Sequence, residues 1–221
     1  FFKQKTAYEI RNCDWSSDVC SSDLSLELLS DEKDPEQQAR LRATAERGIQ
    51  KLESTLAKVT EAASLEEALR DEDQHGFDVA RVTRDAIESI QRTVTDRQWS
   101  LDIPSDPVVI FGNDLRFEQM LDKLLDNARD YTPINGQITV GIRDHINAVS
   151  LWVENEGPSL QVHNGVDAFQ MFSGTRNDST GSHLGLGLYV VRLIAESMGA
   201  QVSIGNTEQG VRVEVTGLGV P

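Results

Sequence analysis

Four stretches of this chain combine carboxamides, glycines and basic residues at spacings that could do chemistry. The first is Phe117 to Pro133, FEQMLDKLLDNARDYTP. Read as a helix, it puts Met120, Leu121, Leu124, Leu125 and Ala128 on one buried stripe. Gln119, Lys123 and Asn127 then share another face at four-residue steps. A carboxamide held between apolar neighbours can offer its oxygen to Mg²⁺ as a hard ligand, and a lysine one turn away can reach phosphate oxygens. An ordinary amphipathic helix would carry the same stripe. The second stretch is Val153 to Ser159, VENEGPS. Gly157 and Pro158 turn the backbone where a flat ligand could come close. Asn155 offers an acceptor and a donor suited to an adenine edge. A plain strand-to-loop turn fits these residues too.

The third stretch, DAFQMF at Asp167 to Phe172, places two aromatics three apart just before a polar loop. Such a pair serves equally as core or as the anchor of a lid. The fourth, GSHLGLGLYVVRLIAESMG, runs from Gly181 to Gly199. Gly185 and Gly187 open a strongly apolar helix, and the free N–H groups and dipole of such a start attract phosphate. No GK[ST] follows, which excludes a P-loop. The late position, without a preceding βα start, excludes a dinucleotide fingerprint.

These stretches need a scaffold. The periodicity predicts helices over 79–95, 114–131 and 187–198, with strands over 100–103, 108–111, 137–143, 148–154, 201–205 and 211–216. Mixed strands with hairpin-length connections predict a two-layer α/β sandwich, one mixed sheet with helices on one face. Upstream, Pro35 starts a glycine-poor stretch to about Leu69 in which Ile49, Leu52, Leu56, Val59 and Ala63 step by three and four. That narrow seam suits a coiled-coil-like helix needing a partner, or one packed on its own globular domain. The run RDEDQHG reads as a polar linker. The domains expected are therefore residues 25–72, a helical part, and 73–221, the sandwich.

Both cysteines, Cys13 and Cys20, fall in residues 1–24. That segment has no helical or strand period and resembles the conceptual translation of a sequencing-library adapter, so it is excluded from the fold. Without those two, the chain is cysteine-free, as suits the reducing cytosol. The net charge is −15, which argues against nucleic acid as a partner. It also obliges any polyphosphate ligand to bring Mg²⁺ or find directed N–H groups. No apolar run approaches the roughly 20 residues that cross a bilayer, so no membrane contact is expected of this segment.

Taken in order, the four stretches resemble the N, G1, F and G2 boxes of the histidine-kinase branch of the GHKL ATPases, over about Phe77 to Pro221. The upstream helix resembles the second helix of that family's dimerisation hairpin. LDKLLDNA, NEGP and HLGLGLYVVRLIAE resemble the sensor kinases of the proteobacterial dedicated sortase system. The resemblance implies a Bergerat-type fold binding ATP and Mg²⁺. Asn127 would be the Mg²⁺ ligand, Gln119 and Lys123 would line the phosphate side, and Tyr131 would flank the nucleotide. Asn155 would face adenine and Gly157 would allow its approach. Phe169 and Phe172 would brace the lid, to which Arg176 and His183 belong, and Gly185, Leu186, Gly187 and Leu188 would cradle the phosphates.

The resemblance further implies that the γ-phosphoryl passes to a hairpin histidine and on to an aspartate of a response-regulator receiver domain. The intact parent would be a homodimer through its hairpin, anchored in the bacterial inner membrane with this domain in the cytoplasm. The phosphoacceptor histidine is expected a few turns before SLELL, where the adapter-like segment begins, so this chain is expected to bind ATP without phosphorylating itself. Four positions depart from the family pattern. Lys123 stands for a second Asn, Asn155 for Asp, His183 for the first G2 glycine, and Val211 for a Thr that often helps hold adenine. They leave room for a nucleotide-holding domain without transfer, or for another GHKL ATPase of gyrase, mismatch-repair or anti-sigma-kinase type.

Overall fold

The computed structural model describes residues 34–69, 72–160, 169 and 186–220. The chain forms two compact units, Phe1–Glu61 and Ala62–Pro221. A single helix, α1 (Pro35–Ala68), runs from the first into the second. Pro35 occupies its first turn, where a missing N–H costs nothing. The Asp34 carboxylate accepts from Glu36 N at 3.0 Å and caps the start. Of the expected seam, Ile49 and Leu52 are 44% and Leu56 68% exposed in the first unit.

In the second unit the order is β1 (His75–Asp78), α2 (Val79–Thr93), β2 (Gln98–Asp102), β3 (Val109–Gly112), α3 (Asp114–Tyr131), β4 (Gln137–His145), β5 (Ala148–Glu156), α4 (Gly187–Ser197), β6 (Gln201–Asn206) and β7 (Gly210–Gly219). Five strands make a mixed sheet, β2-β4-β5-β7-β6. β2 runs parallel to β4, and the other pairs are antiparallel. Strand residues one side apart, Ile138, Val140, Ile142, Leu151, Val153, Val213 and Val215, meet helix residues such as Ile87, Leu121, Leu124 and Ile194 in one buried core. This is the anticipated sandwich with its helices on one face.

The expectation of a single sheet needs correction. β1 and β3 form a separate two-stranded antiparallel sheet, His75 opposite Gly112 and Asp78 opposite Val109. The end of the expected polar linker is therefore a strand. Its terminal Asp78 is busy: one carboxylate oxygen accepts from Ala80 N and Arg81 N, capping α2, and from Val108 N at 3.0 Å, tying the pair of strands to that helix.

The sheet's other face is polar but contains one large ring. Trp152 lies over Gly141, where an added Cβ would sit 2.1 Å from Cε2. On its other side the Arg212 guanidinium carbon is 4.1 Å from the ring centroid, and Arg212 Nε donates to Glu154 at 2.8 Å. The cation thus stacks on the indole while its charge is met by the carboxylate. A shallow polar depression on the same face, lined by Gln137, Thr139, Glu154, Glu156 and Gln209, contains none of the residues singled out above. Among the described residues no helix is long and apolar enough to cross a membrane.

On the exposed side of α3, the Asp122 carboxyl is raised above the ordinary 3.8, first by loss of solvent and then by the charge of Asp126. Between that value and the raised one the folded state therefore holds more protons than the unfolded one, and stability falls as pH rises through this window. Asp122→Asn is expected to raise the melting midpoint by about a degree or two at pH 7, with the gain vanishing near pH 3.

Candidate functional site

Helix α3 is built as its sequence suggests. Asn113 caps it, its side-chain oxygen accepting from Arg116 N at 3.1 Å. Phe117, Met120, Leu121, Leu124, Leu125 and Ala128 are buried. Beside that stripe Gln119, Lys123, Asn127 and Tyr131 are all half-buried, one per turn.

The two ends of this second stripe have different company. Gln119 accepts from Arg116 Nη1 at 2.9 Å. Arg116 in turn grips Glu72, its Nε lying 2.7 and 2.9 Å from the two carboxylate oxygens. That hydrogen bonding is the main reason the guanidinium titrates above its usual range. Glu72 cancels the Arg116 charge, so Gln119 belongs to a closed polar cluster at the start of α3. It lies about 12 Å along the axis from Asn127, since eight residues rise 1.5 Å each.

At the other end, α3 abuts the exit of β5. Asn155 stands on the helix side of the sheet, opposite Ile138 on one neighbour and Val211 on the other, and is 4% exposed. The turn after it is held at several points. Gly157 N donates to Gln209 O at 3.2 Å. The Asn206 carboxamide accepts from Leu160 N at 2.7 Å and donates to Leu160 O at 3.2 Å, copying a strand ladder with one side chain. Two glycines permit the closeness: a Cβ at Gly157 would be 2.5 Å from Tyr131 O, and one at Gly210 would be 1.9 Å from Asn155 O. Tyr131, Asn155 and Gly157 therefore meet, with Asn127 one turn before Tyr131.

Helix α4 brings the third component. Val190, Val191, Ile194 and Ala195 seat it on the core, packed along α3. The two run antiparallel, because the far end of α4 meets the start of α3. A Cβ on Gly112 would touch Met198 Sδ at 3.3 Å, and Gln74 Nε2 donates to Ser197 O at 3.3 Å. Eleven residues make about 16 Å of helix, so the head of α4 comes level with the region of Lys123, a turn short of Asn127. Leu186 is buried, Leu188 packs against the core, and no described side chain caps the helix start. The leading N–H groups of a helix lack intrahelical acceptors. A Cβ placed on Gly187 would meet nothing within 4 Å among the described residues, so a methyl there has room. Gly187→Ala is accordingly expected to leave the melting midpoint within a degree or two while lowering nucleotide affinity about tenfold, as followed by titration of a fluorescent ATP analogue.

Tyr131, Asn155 and Gly157 thus meet at the exit of β5, with Asn127 and Lys123 one and two turns earlier on α3, while Leu186, Gly187 and Leu188 open α4 near the level of Lys123 and Gln119 lies towards the start of α3. Phe169 is buried. Phe172, Arg176, His183 and Gly185 lie outside the described residues. Val211 sits directly across from Asn155, at the position where the departure from Thr bears on it. Sequence reasoning missed Gly210 and Asn206. A glycine closing the polar NTEQG stretch is a turn signal that could have marked the first. Nothing marks Asn206, whose partner is a main chain 46 residues away.

A mixed sheet covered on one face by three helices, with the head of α4 packed beside a carboxamide-bearing α3, is the fold of a class of ATP-binding domain. Residues 112–218 match the histidine kinase-, DNA gyrase B- and HSP90-like ATPases, and the domain belongs to that family. Within it, the relatives are sensor kinases. The chain is 25% identical over 183 residues to the sensor protein kinase PmrB of Pseudomonas aeruginosa, covering 83% of this chain and 38% of that protein. It is 31% identical over 147 residues to the probable sensor histidine kinase TcrY of Mycobacterium tuberculosis, covering 63% and 31%. The catalytic domain of histidine kinase ThkA superposes with a TM-score of 0.60 at 21% identity, over 68% of this chain and all of that one. By these matches the domain is an ATPase domain of the kind that sensor kinases carry. The chain spans about a third of the length of these curated relatives, and they do not single out the sortase-system branch.

Proposed function

We propose that this domain holds Mg²⁺–ATP between α3 and the head of α4 and presents the γ-phosphoryl to a histidine on a helical hairpin. What supports this is the antiparallel packing of α4 along α3, which brings the start of α4 level with Lys123, one turn from Asn127. The N–H groups of Gly187 and Leu188 would take phosphate oxygens, Lys123 would add a cation beside them, and Asn155 would read the base. Asn127 fits a Mg²⁺ site because this ion keeps most of its waters and needs few protein ligands besides phosphate. When bound it supplies charge neutralisation along the triphosphate. In the transfer, the bond from γ-phosphorus to its bridging oxygen breaks as the imidazole nitrogen bonds to phosphorus, and ADP leaves with the bridging oxygen. The chain's own part is positioning and offsetting charge.

The phosphoryl group would then move to an aspartate of a response-regulator receiver domain. The four histidines, His75, His145, His163 and His183, all lie outside α1, so we propose that the chain as given labels a supplied hairpin and not itself. The open seam of Ile49, Leu52 and Leu56 fits pairing with a second copy, and the parent is proposed to be anchored in the inner membrane. Residues 25–72 and 73–221 remain our proposed division into hairpin remnant and kinase domain. Buried Val211 opposite Asn155 favours a second reading, a domain that binds ATP without transfer. Incubation with radiolabelled ATP and a separate histidine hairpin separates these: acid-labile label on the hairpin supports transfer, ATP binding without label supports the second reading, and no ATP binding overturns both.

A further inference from the structure

The buried polar side chains among the described residues are Thr83, Thr132, Ser150 and Asn155, and only the last is a carboxamide. Its Nδ2 donates to Glu156 O over a long 3.3 Å. No described residue donates to its Oδ1. Its cross-strand neighbours, Ile138 and Val211, are aliphatic, so neither supplies a second polar group to choose the orientation of the amide or to check the base.

A carboxamide carries an acceptor and a donor in one plane, and inversion about its last torsion exchanges them. In one orientation Oδ1 accepts from a 6-amino group while Nδ2 donates to the ring nitrogen beside it, which is the adenine edge. Inverted, Nδ2 donates to a 6-oxo group and Oδ1 accepts from the ring N–H, which is the edge of hypoxanthine and guanine. We infer that the base subsite takes 6-oxopurine as well as 6-aminopurine triphosphates, because buried Asn155 reads the purine edge between two aliphatic neighbours and complements either pattern. The inference rests on the nucleotide reading of this site. Inversion forfeits the weak bond to Glu156 O, so ATP keeps a preference of about fivefold.

The test uses the full chain with saturating Mg²⁺, competing ATP, ITP and CTP against a fluorescent ATP analogue. ITP differs from ATP at the 6-position of the ring edge and adds no 2-amino group. The expected result is ITP within about tenfold of ATP, and CTP far weaker. Asn155→Asp keeps the shape but loses the donor, so it should widen the ATP-to-ITP ratio to about a hundredfold or more. The ratio in the unaltered chain decides the matter even where that variant folds poorly. ITP weaker than ATP by a hundredfold or more overturns the inference and leaves ATP binding intact. CTP equal to ATP also overturns it, since the base edge is then not read. Failure of every nucleotide to displace the probe overturns the nucleotide reading together with it.

Discussion

Asn127→Ala is expected to weaken Mg²⁺–ATP binding by about 30- to 100-fold, the range of one lost contact to a charged group. Binding of ATP in excess EDTA should change little. The substitution removes the oxygen without adding charge, and Asn127 is only half-buried on a helix that alanine favours, so the melting midpoint should hold. Lys123, one turn back, cannot take over, since an ammonium repels the ion. Calorimetric titrations with and without Mg²⁺ measure both limbs. Equal losses in the two would assign Asn127 to the nucleotide alone, and no loss in either would remove it from the site.

Gly210→Ala should produce the largest loss of stability. Its new Cβ would stand 1.9 Å from Asn155 O and 2.9 Å from Gly157 N. Both are main-chain atoms, so no rotamer change can relieve the overlap, and either β5 or β7 must move. A cost of about 3 kcal/mol or more is expected, a fall of roughly 10 °C in melting midpoint for a unit of this size. Nucleotide binding should drop as well, because the displaced strand carries Asn155. Gly187→Ala makes the contrast: the same added methyl, met by open space, should trouble the ligand and spare the fold.

Much of the helix layer was legible because its signals are local. Asn113 and the 3.6-residue stripe place α3 over Asp114–Tyr131 as expected, and α4 stops within a residue of the expected end. There Gly199, at φ +73, lets Ala200 N reach back to Ala195 O. Strand existence was legible too, through alternation, but strand partners were not. β1 is four residues, QHGFD gives it little apolar pattern, and its mate β3 is more than thirty positions away. Only pairing in space makes it a strand. Gly141 shows a different limit: it reads as an ordinary strand residue, and its necessity comes from the Trp152 ring lying across it. In the candidate site, the glycines and carboxamides announced themselves by type. What occupies Gln119 is the Arg116–Glu72 pair, a contact across 44 residues that no local pattern contains.

The β6–β7 connection has a practical bearing on how this protein is handled. Surface hairpin tips are where epitope tags and inserted domains are ordinarily tolerated. Here the tip's own carbonyl at Gln209 and the amide of Asn206 are bolted to the 157–160 stretch, so a peptide spliced into 207–209 would disturb the turn that follows Asn155. The turn between β4 and β5, where Ile146 is 97% exposed, carries no such attachment and is the better place for a label.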